Sequence, residues 1–359
     1  MVHRIFGIAS IAVGFILIGS TTWANPQSEA YRRQGLNLYR EGKFKEAAAA
    51  FVQATQADSS DAQALLSLGL TYRHLKEYDQ AIEAFKRAVR ADSTYTKAYA
   101  AMGDVYVLTH RLDQAEVSYE RAVQTDSTFA EGTKKLGAVH HKIALKAYKQ
   151  GKFEEAAAHF EEATQLDPSN AKAYFGLGEV YKKLKQYDRA IEAYEGALEH
   201  DPGYVKAYLS LGGVFIERGE YNRAERSYRQ AVQIDPEAAK AYGKLGAIYV
   251  REKLYDKAVS VLQKAIEAHP KDPQAYYHLA EAYKNLGRYE QALASARTCL
   301  KTDPKSVPAM GIIAECYELL GEKEKAIAAY EDVRAAARDQ TWREYAEQKI
   351  ELLSRSTSP

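Results

Sequence analysis

Apolar residues along this chain follow two periods at once. Over short distances they return every three or four positions, the spacing of one face of an α-helix. Over longer distances the whole set returns after 34 residues. In "AKAYFGLGEVYKKLKQYDRAIEAYEGALEHDPGY", residues 171–204, the landmarks are Tyr174, Leu177, Gly178, Tyr181, Tyr187, Ala190, Tyr194, Ala197 and Pro202. Shifted by 34, the same places hold Tyr208, Leu211, Gly212, Phe215, Tyr221, Ala224, Tyr228, Ala231 and Pro236. Each unit predicts two apolar-faced helices joined by a short turn, which carries Gly42, Gly151, Gly219, Gly287 or Gly321 in five units. One place in the second helix is always alanine: Ala47, Ala81, Ala115, Ala156, Ala190, Ala224, Ala258, Ala292 and Ala326. A small side chain there lets the two helices approach closely. Gly69, Gly103, Gly178, Gly212 and Gly246 serve the same end from the first helix.

This pattern resembles the tetratricopeptide repeat, a helix-turn-helix unit of this length. Repeats start at Ser28, Ala62, Thr96, Gly137, Ala171, Val205, Ala239, Pro273 and Val307, nine in all, and cover Ser28 to Gln340. The resemblance implies an all-α fold, a right-handed α-solenoid of nine helix-turn-helix units. The repeating tyrosines then read as core, with rings packed and hydroxyls reaching the wet edge. Asp167-Pro168, Asp201-Pro202, Asp235-Pro236 and Asp303-Pro304 are expected to stop second helices, because proline disfavours helix in the residue before it. Repeat nine departs from the pattern at Lys323, Val333 and Arg338. After it, Trp342, Tyr345, Ala346, Lys349, Ile350 and Leu353 share one helical face, which predicts a capping helix over the last exposed apolar surface.

One interval breaks the period. In "KKLGAVHHKIALKAYKQGKFEEA", residues 134–156, the turn at Gly151 arrives seven residues late. Two frames fit the first-helix template here, one from Ala130 and one from Gly137, because seven residues is nearly two helical turns. The expectation is a first helix over 130–149 about two turns too long; the alternative is a looped insertion. The three repeats before it end in Asp-Ser, whereas four of the next five end in Asp-Pro and the other in His269-Pro270. The predicted organisation is therefore a leader at 1–24, three repeats at 25–129, six at 130–340, and a capping helix with tail at 341–359.

Composition adds limits. Charged residues make up 27% and hydrophobic ones 46%, which fits a folded rather than a disordered chain. The net charge of +1 gives no global field for nucleic acid. The first residues differ: a basic start at Met1 to Arg4, the apolar run "IFGIASIAVGFILIG" from Ile5 to Gly19, then "STTWA". This is the order of a secretory signal peptide cut before Asn25, and it predicts an exported protein, periplasmic or extracellular. The alternative is an uncleaved membrane anchor over residues 5–24, the one circumstance in which membrane contact is expected.

Catalytic patterns are missing. There is no glycine-rich phosphate loop, no nucleophile elbow and no Cys-x-x-Cys. Adjacent His140 and His141 diverge by about 100° on a helix and cannot jointly grip a metal. Cys299 and Cys316 fall on neighbouring helices, where either a disulfide or two unpaired thiols fit. The reading is no enzyme, no metal, no cofactor and no small-molecule substrate.

Recognition remains. The resemblance implies a ligand groove lined by first helices, at roughly the second, fifth, sixth, ninth, twelfth and thirteenth places of each repeat. Those places hold Lys142 and Lys149 in repeat four, Lys172, Phe175, Lys182 and Lys183 in repeat five, Lys206 in repeat six, and Lys240, Lys244 and Arg251 in repeat seven. Glu179 and Glu217 interrupt the run. Two readings stand: the lysines solvate a helix face, or they hold an acidic peptide or protein partner, with Phe175 as an apolar contact. Relatives that clamp the carboxyl terminus of chaperones carry asparagines at places filled here by Leu36 and Ser67, so that ligand is not expected. The function expected is an exported, non-catalytic protein-interaction scaffold. A self-assembling array and a membrane-anchored assembly factor are the alternatives.

Overall fold

The computed structural model describes residues 25–355; the leader at 1–24 and the last four residues lie outside them. The described residues form nineteen α-helices and no strand. They divide into two compact units, one up to Val139 and one from His140. The first unit holds α1 (Pro26–Arg40), α2 (Phe44–Ala57), α3 (Ala62–His74), α4 (Tyr78–Ala91), α5 (Thr96–Leu108), α6 (Leu112–Thr125) and the start of α7 (Ala130–Lys149). The second holds the rest of α7, then α8 (Phe153–Leu166), α9 (Ala171–Lys183), α10 (Tyr187–His200), α11 (Val205–Glu217), α12 (Tyr221–Ile234) and α13 (Ala239–Arg251). It continues with α14 (Tyr255–Ala268), α15 (Pro273–Asn285), α16 (Tyr289–Thr302), α17 (Val307–Leu319), α18 (Lys323–Ala336) and α19 (Gln340–Arg355). Helices α1 to α18 are the eighteen helices of nine hairpins, and α19 follows them.

The hairpins repeat almost residue for residue. First helices α3, α5, α9, α11, α13, α15 and α17 each have 13 residues, and every second helix has 14. The nine alanines at the shared place have no exposed surface. A side chain from the second helix fills the space that the first-helix glycine leaves: a ring opposite Gly69, Gly103, Gly178 and Gly212, and Leu262 opposite Gly246. A Cβ on Gly178 would sit 2.5 Å from the Tyr194 ring, so no larger residue fits there without moving that ring.

Each hairpin turns through one residue with positive φ. Glycine supplies five of these positions, as the sequence predicts. Lys76, His110, Lys185 and Lys253 occupy the equivalent four, at φ between 58° and 62°. The turn closes with a bond from the next residue back to the first helix, such as Glu77 N–H to Tyr72 C=O at 2.9 Å, the pattern of a Schellman end. These four side chains therefore sit in a left-handed conformation that costs about 1–2 kcal/mol each.

Second helices stop where proline and aspartate dictate. Helices α8, α10, α12 and α16 end just before Asp167, Asp201, Asp235 and Asp303, whose φ values lie between −126° and −137°. At the far end, α19 packs Trp342, Tyr345, Ala346, Ile350 and Leu353 against α17 and α18. Gly311 lets the Trp342 ring approach to 2.8 Å from where a Cβ would stand.

Helix α7 is one unbroken helix of 20 residues, seven more than its counterparts. The expected over-long helix is what forms; there is no looped insertion. Its whole length lacks proline, and the apolar face continues in register across the extra turns because the added residues nearly complete two turns. Among the described residues, no helix is long and apolar enough to cross a membrane.

Candidate functional site

In the second unit, first helices lie side by side and present their groove places together. Residues from α7, α9, α11 and α13 line two adjoining pockets. The first, about 340 Å³, is walled by His141, Leu145 and Tyr148 of α7, Phe160 of α8, Lys172, Phe175, Gly176 and Glu179 of α9, and Tyr204. The second, about 400 Å³, takes Phe175, Glu179 and Lys182 of α9, Lys206, Leu209, Ser210 and Gly213 of α11, Tyr228 of α12, and Lys240 and Lys244 of α13. Phe175 and Glu179 belong to both.

Six of the nine residues expected at a binding surface meet here: Lys172, Phe175, Lys182, Lys206, Lys240 and Lys244. Lys142, Lys149 and Lys183 are exposed on α7 and α9 and line neither pocket. Phe175 is half-buried, with Tyr204 and Tyr194 rings 5.0 and 5.8 Å away. Lys182 differs from the other lysines. Its Nζ lies 2.7 Å from the Glu179 carboxylate, so its charge is spent within the fold. Lys172, Lys206, Lys240 and Lys244 are exposed and make no ion pair among the described residues.

Glu179 is held on three sides. Its Oε1 accepts from Lys182 at 2.7 Å, from the Tyr194 hydroxyl at 2.6 Å and from the Ser210 hydroxyl at 2.7 Å. Burial opposes its ionisation, but these bonds outweigh burial and hold the carboxyl below the ordinary carboxylate range. Burial and the adjacent Glu179 charge push the Tyr194 phenol upward, so it stays a donor. The hydroxyls of Tyr119 and Tyr330 likewise donate to Asp104 and Glu318. These ring hydroxyls end on partly exposed carboxylates, at the edge of the packed core.

Two junctions share one register rule: a cation at the twelfth place of one repeat meets a carboxylate at the ninth place of the next, 31 residues on. Arg73 meets Asp104 at 3.4 Å, and Lys284 meets Glu315 at 2.5 Å. In repeats six and seven the ninth place holds Gly213 and Ala247. Lys182 therefore has no acid ahead of it and folds back onto Glu179, one helical turn behind. Around Gly213 the groove holds Lys206, Lys240 and Lys244, and the one carboxylate lining that pocket, Glu179, is taken by Lys182.

His141, Leu145, Tyr148 and Tyr204 line the first pocket without being marked by charge or motif in the sequence. The first three occupy the fifth, ninth and twelfth places of the frame that starts at Gly137, which are groove places, but they add no charge to the run of lysines there. His140 turns the other way: its Nδ1 lies 3.0 Å from the Nδ1 of His159, packed and buried. Cys299 and Cys316 are both buried thiols, and burial pushes the Cys316 thiol up to about 11, away from reactivity.

Residues 130–352 match the family described as cilia and flagella-associated protein 70 C-terminal domain, which covers well over half of the chain. Residues 32–96 and 72–131 match two families described as tetratricopeptide repeat. No curated protein matches the chain. Among solved structures, yeast Tom70 is 15% identical over 92% of this chain and 96% of its own, with a TM-score of 0.43. YrrB, described as a TPR protein with an unusual peptide-binding site, is 22% identical over 54% of this chain and 96% of its own, with a TM-score of 0.40. MamA is 27% identical over 50% of this chain and 94% of its own, with a TM-score of 0.39. The chain belongs to the tetratricopeptide repeat family, and its residues 130–352 to the family of the cilia and flagella-associated protein 70 C-terminal domain.

Proposed function

We propose that this protein-interaction scaffold holds an acidic peptide segment of a protein partner along α9, α11 and α13, and that it does so outside the cytoplasm. The observation that carries the reading is the unmatched charge of the central groove. Lys172, Lys206, Lys240 and Lys244 make no ion pair among the described residues, and Gly213, which lines one pocket with the last three, brings no carboxylate to it. Elsewhere on the first helices Arg73, Lys135 and Lys284 meet carboxylates of a neighbouring repeat. A run of unpaired lysines on concave walls attracts carboxylates and speeds their encounter. Each exposed pair is worth only about 0.2–1 kcal/mol, so binding rests on several acting together.

The reading is tested with a fluorescein-labelled decapeptide of alternating Glu and Ser, and a Lys-Ser peptide as control. Anisotropy should report binding of the acidic peptide alone, weakening as salt rises. In the chain carrying Lys206→Gln, Lys240→Gln and Lys244→Gln, affinity should fall about tenfold while circular dichroism is unchanged. Equal binding by this variant and the native chain would sink the proposal. The address rests on the leader alone and has its own test: N-terminal sequencing from the expressing cell should start at Asn25. An intact Met1 on membrane-bound material would favour the anchor.

A further inference from the structure

Glu179 is an acid set among the groove lysines. It lines both pockets, with Lys172 in the first and Lys206, Lys240 and Lys244 in the second. Its charge is fixed in place. One carboxylate oxygen takes bonds from Lys182 at 2.7 Å, from the Tyr194 hydroxyl at 2.6 Å and from the Ser210 hydroxyl at 2.7 Å. Tyr194 has no exposed surface, and Ser210 belongs to α11 of the next repeat, so a core ring and a neighbouring helix both hold the carboxylate where it stands. Pulling it away strands the hydroxyl of a buried ring, which costs more than an exposed ion pair returns. Burial opposes the ionisation of Glu179, but its bonds prevail and hold the carboxyl below the ordinary range, so it stays charged wherever a ligand's own glutamates do.

We infer that Glu179 is the specificity-determining residue of this groove: it withholds Lys182 from the ligand and repels a ligand carboxylate where the two pockets adjoin. The inference rests on the acidic-peptide reading of the groove. Lys182 cannot serve two acids at once. Its ammonium lies 2.7 Å from Glu179, on the same helix and one turn on, so a ligand meets it only by displacing a tethered partner. The pair is neutral as a unit. The charge offered to a ligand therefore comes from Lys172 on one side and from Lys206, Lys240 and Lys244 on the other. A segment with acids along its whole length sets one of them against Glu179, a like charge on a concave wall. A segment whose acids are interrupted by an uncharged residue avoids that clash and still reaches lysines on both sides.

The experiment uses the whole chain, the labelled Glu-Ser decapeptide, and the variants Glu179→Gln, Lys182→Gln and both together. Glutamine keeps an oxygen for Tyr194 and Ser210, so circular dichroism should be unchanged. Glu179→Gln frees Lys182 and should bind the peptide about threefold tighter, with a steeper salt dependence because one more cation takes part. Lys182→Gln leaves Glu179 unneutralised and should bind about threefold weaker. The double variant removes a neutral pair and should bind within about twofold of the native chain. On the native chain itself, lysine acetylation mapped by mass spectrometry should show the bound peptide protecting Lys206, Lys240 and Lys244 and leaving Lys182 unchanged. If the peptide binds the native chain but Glu179→Gln binds no tighter, or if the peptide protects Lys182 as well as the other three, the groove reading survives and the role of Glu179 is overturned. A double variant that loses as much affinity as Lys206→Gln alone overturns it too. If neither the native chain nor any variant binds the peptide, the groove reading itself falls and this inference with it.

Discussion

Asp104 and Glu179 occupy the same place in repeats three and five, yet their surroundings differ. Both accept a bond from the ring hydroxyl fifteen residues on, Tyr119 in one case and Tyr194 in the other, at 2.6 Å. Asp104 then meets two cations from the flanking repeats, Arg73 at 3.4 Å and Lys135 at 3.0 Å. Glu179 meets one, Lys182, from its own helix. The first groove segment closes its charge internally across repeats. The second leaves lysines of the next two repeats without acids. Identical core architecture thus supports two different surfaces, and the difference comes from single residues at the ninth place, not from the fold.

If the cores are equivalent, truncating either ring should cost the same. Tyr119→Ala and Tyr194→Ala should each destabilise by about 3–5 kcal/mol, within about 1 kcal/mol of each other, in urea unfolding. Unequal losses would break the equivalence. The milder Tyr119→Phe and Tyr194→Phe remove one bond to a charged carboxylate and should cost about 1.5–3 kcal/mol each. Tyr119→Phe should be the smaller, because Asp104 keeps two cations.

The turns test the shared scaffold in the other direction. Lys76→Gly in the first unit and Lys185→Gly in the second relieve a left-handed side-chain backbone, and each should raise stability by about 1 kcal/mol. A loss at either would show that the lysine side chain, not the turn, matters there.

The smallest expected effect separates the units by pH. Burial, then repulsion from His159, lowers the His140 titration point, against a weaker pull from Glu162. Burial, Lys172 and Lys142 lower that of His141. The unfolded chain takes these protons near the ordinary value of 6.5, and the fold resists them. Stability is therefore complete above about pH 6.5 and declines as pH falls from there toward the folded values. The melting temperature should drop between pH 7.5 and about 5.5, and His141→Phe should reduce the drop. An undiminished drop would remove His141 from that account.

The repeat frame, the length of α7, the five turn glycines and the capping face were legible because each is set by local spacing. The 34-residue period fixes which residues share a helix face, and hence the places that line the groove. Ion pairing was not legible in the same way. Whether Lys182 reaches the next repeat or turns back to Glu179 depends on Gly213 lacking a carboxylate, a relation between residues 31 apart that only the stacked helices create. The turns at Lys76, His110, Lys185 and Lys253 were hidden because their side chains give no sign of positive φ. The apolar pocket escaped because Leu145 and Tyr148 looked like ordinary helix-face residues in a doubled frame.

The central claim is that the missing acid at position 213 is what leaves the groove open to a carboxylate ligand. Gly213 has open space at its Cβ, with the Tyr228 hydroxyl 3.9 Å away as its only near neighbour. Gly213→Glu restores the register rule and gives Lys182 an acid ahead of it. Titrating this variant and the native chain with the Glu-Ser decapeptide at low salt, beside a thermal melt of each, decides the matter. The account predicts a variant as stable as the native chain or more so, by about 0.5–1 kcal/mol from replacing a helical glycine, with peptide affinity reduced at least severalfold. A variant that folds this well and binds the peptide as tightly as the native chain would contradict it.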